Sequence, residues 1–303
     1  MSASDPPRPF EDADVIATLS GFSGARVALM QSRGGKARFI RKWVETSADV
    51  AGLVDQTVRM RVLDNVFTGE VAVPRLIGEG RDDRRWWYDM DHVQGIDGVT
   101  FLGHATVDRA ERYRRTVLAI WRALREGPPP LPVDHDLTAV VRDKLASIGA
   151  RTSGRFSTLL ASIEERADRL SIRLATSPSH GDLTLENMIF DSAGRVFLID
   201  PIPSPIEHHW FDIAKVFQDM EGRWFVHRRR RLPLGITAGI RDRLGRDLAA
   251  ADPAYLEAHP VMLALCFARI LPYCRTPRDT EFVCDRIRLS LASTLGTQDW
   301  KSS

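Results

Sequence analysis

The sequence predicts an α+β fold in two lobes: an antiparallel sheet with one helix over residues 1–93, then a mostly helical part over residues 94–303. Three observations predict it. The first ninety residues alternate short apolar runs with Gly/Ser/Asp turns, helical periodicity takes over after Gly95, and a return to short strands between Ser177 and Pro205 interrupts the helices. A chain of 303 residues can carry two such parts and a sizeable core.

In order, ADVIATL reads as a strand, followed by the turn Ser20-Gly21-Phe22-Ser23-Gly24, a second strand over 26–31, the hairpin turn Arg33-Gly34-Gly35-Lys36 and a third strand over 37–43. After Thr46-Ser47, a good N-cap, Val50, Leu53, Val54, Val58 and Val62 recur at three- and four-residue intervals and predict one amphipathic helix. Strands are expected near 73–77 and 86–93, with the polar GEGRDDRR between them. Helices are expected over 110–125, stopped by GPPPLP at 127–132 because proline cannot continue the backbone ladder, and over 137–148 and 156–174. NMIF and RVFLID predict a short hairpin around Asp191-Ser192-Ala193-Gly194, and the chain beyond Phe211 is again helical.

Composition excludes several classes of function. With 42 Lys+Arg against 40 Asp+Glu the net charge is +2, so a nucleic-acid partner is disfavoured. No apolar run reaches the ~18 residues of a membrane span, and the acidic, proline-bearing start MSASDPPRPFEDAD is unlike a secretory signal, which points to the cytoplasm. Cys266, Cys274 and Cys284 are odd in number and lack zinc-site spacing, so they read as reduced thiols.

The chemistry-bearing segment is His180-Gly181-Asp182-Leu183-Thr184-Leu185-Glu186-Asn187, with Asp200 ending an apolar strand thirteen residues later. An aspartate and an asparagine five apart, followed by a strand-ending aspartate, match the catalytic loop and metal aspartate of phosphoryl-transfer enzymes. Asn187 and Asp200 supply hard oxygen ligands suited to Mg²⁺, and Asp182 faces the acceptor hydroxyl, orienting it or taking its proton. His180 reads as a structural residue packing the loop.

HGDLTLENMI and VFLID resemble motifs of the aminoglycoside phosphotransferase/choline kinase family. LSGFSGARVALM is similar to that family's nucleotide-loop hairpin, FIRKW to its lysine-bearing third strand, WWYDMDHVQG to its lobe-connecting hinge, and Trp210-Phe211-Asp212-Ile213-Ala214-Lys215 to the start of the helix whose aspartate braces the catalytic loop. The resemblance implies a kinase-like bilobal fold with ATP between the lobes, GTP remaining open as donor. It implies nucleotide contacts at Gly21, Ser23, Gly24 and Lys42 and at the hinge residues Met90, Asp91 and Val93, with Asp212 supporting the loop. In FIRK, Ile40 and Lys42 share a strand face, so Lys42 is expected to meet the phosphates and Arg41 to point toward the helix or solvent; a register shift of one would exchange them. Kinases pair this lysine with a helix glutamate. The helix here offers Asp55 and Gln56 instead, and Asp55 is the expected acid.

The acceptor is expected to be a small molecule, because only twelve positions separate Asp200 from Asp212 and leave no room for a peptide-holding activation segment. From Pro201 onward there are 15 Lys+Arg and 12 Asp+Glu, a poor balance for a polycationic acceptor. The wording LIDPIPSP…DIAK resembles the bacterial branch associated with sugars and surface polysaccharides, so a sugar or polyol hydroxyl is the first expectation. Choline or another amino alcohol, an aminoglycoside, and a nucleotide-binding pseudokinase are the alternatives. The run Arg228–Arg231 reads as a solvated turn or as a contact for an anionic acceptor, and the oligomeric state stays open.

Overall fold

The computed structural model describes residues 12–19, 24–45, 50–129, 133–204, 207–228 and 231–292. Its elements run β1 (Ala13–Leu19), β2 (Arg26–Ser32), β3 (Arg38–Glu45), α1 (Val50–Val66), β4 (Val71–Ala72), β5 (Leu76–Arg81), β6 (Arg85–Asp91), β7 (Gly95–Asp97), α2 (Gly98–Gly103) and α3 (Val107–Glu126). They continue with β8 (Asp134–Asp136), α4 (Leu137–Arg151), α5 (Ser157–Ala167), β9 (Arg173–Ala175), a 3₁₀ turn at Leu185–Asn187, β10 (Met188–Asp191) and β11 (Val196–Leu198). The last elements are α6 (His209–Met220), α7 (Trp224–His227), α8 (Leu234–Ala251), α9 (Pro253–Ala268), a 3₁₀ turn at Leu271–Tyr273 and α10 (Pro277–Ala292).

The first sheet is antiparallel, in the order β1-β2-β3-β6-β5. Its two faces bury separate clusters. Ala28, Met30, Phe39 and Trp43 lie on one side, and Ile40, Val44, Tyr88 and Met90 on the other, where α1 covers them through Leu53 and Met60. Alternation along β3 therefore sends successive side chains to different environments.

The second sheet, β4-β11-β10-β7, carries the hairpin expected around Asp191. Its edge strand β4 comes from the first ninety residues and pairs in parallel with β11. The single strand expected over 73–77 is divided, because Pro74 has no N–H to give a ladder: 71–72 join this sheet and Leu76 onward joins the first. Leu63, Phe67, Val71 and Val73 consequently pack in the large core shared with α3, α6 and α9, well before the expected boundary at 93.

Two further departures concern helices. The inner face of α1 is Leu53, Gln56, Thr57, Met60 and Leu63, whereas Val54 and Val58 are exposed. Gln56 and Thr57 can lie inside because each has a partner: Tyr88 Oη donates to Gln56 Oε1 at 3.2 Å, and Thr57 Oγ1 donates to the Val54 carbonyl at 2.9 Å. The helix expected over 156–174 ends at Ala167, and residues 173–175 pair with β8 instead. The three cysteines are free thiols. Contrary to the sequence expectation, Pro253–Tyr273 is long and apolar enough by composition to cross a membrane, but most of it is buried as the core helix α9 and the turn after it.

Candidate active site

The loop His180–Asn187 is held from below by α6. Asp212, fully buried in the first turn of that helix, accepts from the His180 amide at Oδ2 and the Gly181 amide at Oδ1, both at 2.7 Å. One helical face further on, Asp219 Oδ2 accepts from the Leu185 amide at 2.8 Å. Burial pushes the Asp212 carboxyl up to about 7 and that of Asp219 up to about 8, against the pull of those amides. Gly181 has φ +81°, and a Cβ there would collide with the Ile202 carbonyl, so only glycine fits. His180 is fully buried. Its Nε2 lies 2.9 Å from the Ile199 carbonyl, which can only accept, so Nε2 carries the proton and Nδ1 accepts from the Asp182 amide. Burial pushes its pKa down to about 4 and keeps the ring neutral.

Asp182 projects from this loop, about a third exposed, toward Lys215 Nζ at 2.9 Å. Burial would raise its pKa, but the charge and hydrogen bond of Lys215 outweigh that and hold the carboxyl below its usual range. Asn187 Nδ2 donates to the Asp182 carbonyl at 2.8 Å and to Asp182 Oδ2 at 3.1 Å. Because a backbone carbonyl can only accept, this contact fixes the amide orientation and leaves Oδ1 of Asn187 for another ligand. The Ile199 amide donates to the Asn187 carbonyl at 3.0 Å, which sets the ends of β10 and β11 side by side and brings Asp200 next to Asn187. Asp200 adopts φ +57°, an unusual backbone for a non-glycine residue, and its carboxylate is part exposed. An amide oxygen and a carboxylate at adjoining strand ends are a hard-oxygen donor set that fits Mg²⁺.

Across the cleft, Lys42 Nζ is hydrogen-bonded to Asp200 Oδ1, and the lysine side chain is 3% exposed. The acid expected on α1 is not its partner. Asp55 is exposed, and the inward position beside it is taken by Gln56 on Tyr88, the residue opposite Lys42 in the β3–β6 ladder. Arg41 does lie on the other face of β3, yet it meets neither helix nor solvent: it is 1% exposed, bonded to Asp12 at 2.7 and 2.9 Å and to Asp89 at 2.7 Å, with its guanidinium over Trp87.

At the hinge, Met90 is buried between Ile40 and Leu76, the Asp91 amide is already given to the Arg75 carbonyl at 3.0 Å, and Val93 lies beyond the last paired residue. Gly24 has φ +74°, while Gly21 and Ser23 fall outside the described residues. Arg228 stacks on Trp224 beside α10, and Arg229 and Arg230 also fall outside the described residues.

The sequence profile of the phosphotransferase enzyme family (APH) matches residues 14–258. The chain belongs to that family. It is thus a small-molecule kinase, and the expected kinase-like fold holds: a spectinomycin phosphotransferase solved with ADP and spectinomycin superposes with a TM-score of 0.52 at 10% identity, over 91% of this chain and 89% of that one. No curated protein matches by sequence. Among the described residues no cluster of three or more His, Cys, Asp or Glu side chains could hold a metal.

Several residues of this candidate site went unnoticed in the sequence. Lys215 and Asp219 stand three and seven positions after Asp212, so the three charged side chains share one face of the helix; that spacing was a readable signal. Arg59 on α1 was hidden, because its partners are distant in sequence. Its Nη1 donates to the Ser179 carbonyl at 2.9 Å and to Glu207 Oε2 at 2.8 Å, and its Nη2 bonds Glu207 Oε1, tying α1 to the residue before the catalytic loop.

Proposed function

We propose that this phosphotransferase moves the γ-phosphate of ATP, with Mg²⁺, onto a hydroxyl of a sugar or polyol. The observation that carries the reading is the meeting of Lys42, Asp200, Asn187 and Asp182 at one cleft, two of them from strand ends and two from opposite walls. Asn187 Oδ1 and Asp200 would hold the metal, which supplies charge neutralisation on the phosphates. Lys42 would meet the phosphates, exchanging Asp200 for them. Asp182, kept ionised by Lys215, would accept a hydrogen bond from the acceptor hydroxyl and aim its oxygen at the phosphorus. ADP in the structural relative supports an adenine nucleotide as donor, and its bound spectinomycin supports a small hydroxyl-bearing acceptor. The sugar or polyol assignment draws on the resemblance of LIDPIPSP…DIAK and on the poor charge balance for a polycation.

Thermal shift with ATP, with and without Mg²⁺, tests the donor side, since a ligand that binds only the folded state stabilises it by mass action. A Mg²⁺-dependent stabilisation lost in Asp200→Ala is the expected result. An unchanged shift in that variant would remove Asp200 from the metal site. ATP consumption over sugars, polyols, amino alcohols and aminoglycosides then tests the acceptor, and turnover confined to the last two groups would overturn the sugar reading.

A further inference from the structure

Helix α1 crosses from one part of the molecule to the other. Leu53 and Met60 pack against the first sheet, whereas Leu63 already belongs to the large core of the helical part. Arg59 stands at that crossing, its side chain only 12% exposed. Its guanidinium grips two points at once: Nη1 donates to the Ser179 carbonyl at 2.9 Å and to Glu207 Oε2 at 2.8 Å, and Nη2 bonds Glu207 Oε1.

Both points belong to the catalytic wall. Ser179, 1% exposed, immediately precedes His180 and the loop of Asp182. Glu207 immediately precedes His208, the N-cap of the helix that carries Asp212, Lys215 and Asp219. The two are also joined to each other: Ser179 Oγ donates to Glu207 Oε2 at 3.2 Å, and the Ser177 amide donates to the Glu207 carbonyl at 2.8 Å. A guanidinium holding a carboxylate through two nitrogens fixes direction as well as distance, so α1 is kept at one height against the loop and the helix beneath it. The neighbours of Arg59 on α1 bond within the N-terminal part instead, Gln56 with Tyr88 and Arg61 with Glu79.

We propose that Arg59 is a positioning residue for phosphoryl transfer, which through Glu207 and the Ser179 carbonyl keeps the nucleotide-bearing sheet in register with the catalytic loop. In kinases the helix is tied to the site through a glutamate on the phosphate-binding lysine. Here Lys42 bonds Asp200, Asp55 is exposed, and α1 is anchored to the opposite wall by a cation. The phosphorus is carried by one wall and the hydroxyl is aimed by the other, and a misplacement of about 1 Å between them can cost about 10²-fold in rate. Loss of Arg59 therefore falls on turnover, while each wall keeps its affinity for its own ligand.

The inference rests on the phosphotransfer reading above, and the test keeps the two apart. ADP release from Mg-ATP by the full chain is followed with water as acceptor and with the acceptor panel above, and Mg-ADP affinity is measured by calorimetry. Arg59→Met should lower kcat by about 10–10²-fold, with the KM for ATP and the Mg-ADP affinity changed less than about threefold. Glu207→Gln, which keeps one acceptor oxygen, should give a smaller loss of the same kind, and it carries the test if Arg59→Met does not fold. The double variant should lose no more than Arg59→Met alone, because both remove one contact. Arg61→Met, which takes an equal charge from the same helix, should leave kcat within about twofold. Unchanged kcat in folded Arg59→Met or Glu207→Gln, additive losses, an equal loss in Arg61→Met, or a matching fall in Mg-ADP affinity overturns the positioning role. A wild type that binds Mg-ADP but turns over Mg-ATP with no acceptor would count against phosphotransfer itself, and the positioning role would fall with it.

Discussion

The two walls of the cleft are held in place by opposite means. On the C-terminal side, the loop around Asp182 is fastened by its own neighbours: three of its amides end on Asp212 and Asp219, the ring of His180 closes onto Ile199, and Lys215 supports the carboxylate. On the N-terminal side, Lys42 has no acid of its own lobe among the described residues and reaches across to Asp200, the proposed metal ligand. The difference teaches that one wall is built before substrate arrives, whereas the other is set by a contact that, in the proposed reaction, the nucleotide and its metal would replace. A rigid orienting group facing a replaceable phosphate contact suits phosphoryl transfer, which demands positioning above all.

The largest effect expected from this contrast is at the rigid wall. Asp182→Asn should lower turnover by about 10²–10⁴-fold, the usual contribution of a positioned base or orienting group, with nucleotide affinity nearly intact. Steady-state kinetics on an accepted substrate measure it. Near-normal turnover of the folded variant would show that the loop is a scaffold and that the hydroxyl is aimed by something else.

A smaller effect belongs to the supports beneath that wall. Asp219 is fully buried, and its carboxyl, pushed up to about 8, holds a proton that the unfolded chain releases near pH 4. Its contribution to stability is therefore fully present below pH 4 and is lost as pH rises through about 8. Asp219→Asn removes this dependence and keeps an oxygen for the Leu185 amide. Relative to the wild type, the variant should gain roughly 2–5 kcal/mol between pH 4 and 9, read as the difference in denaturation midpoints. A pH-independent difference would mean that Asp219 stays ionised, neutralised by Lys215.

How legible the site was in the sequence follows the same division. Asp182, Asn187 and Asp200 stood within nineteen consecutive residues, and strand alternation in FIRK was enough to put Lys42 and Arg41 on opposite faces. The partners were harder. Apolar spacing turned α1 the wrong way, because Gln56 and Thr57, polar by type, are buried through Tyr88 and a backbone carbonyl, and hydrophobic counting has no means of seeing a hydrogen bond made thirty-two residues away. Arg59 with Glu207 and Lys42 with Asp200 are separated by 148 and 158 positions, so only the folded chain brings them together. Arg41 read as a solvent or helix contact because its acids are distant in sequence: Asp12 stands just before β1, and Asp89 is its opposite number on β6.

The smallest effect sharpens the contrast from the N-terminal wall. Were Asp55 the acid of Lys42, removing it would weaken nucleotide use almost as much as removing the lysine, and the two losses would not add. The side chain is exposed instead, on the turn of α1 that faces away from the sheet. Asp55→Ala should therefore change stability by no more than about 0.5 kcal/mol and leave the ATP requirement where it was, whereas Lys42→Ala should raise that requirement or depress turnover strongly. The informative cycle pairs Lys42 with Asp200, whose losses should fall short of additivity because each removes the same contact across the cleft. A marked rise in the ATP requirement of Asp55→Ala would mean that α1 rotates when nucleotide binds and gives Lys42 the acid of its own lobe, so that both walls would then be held from within.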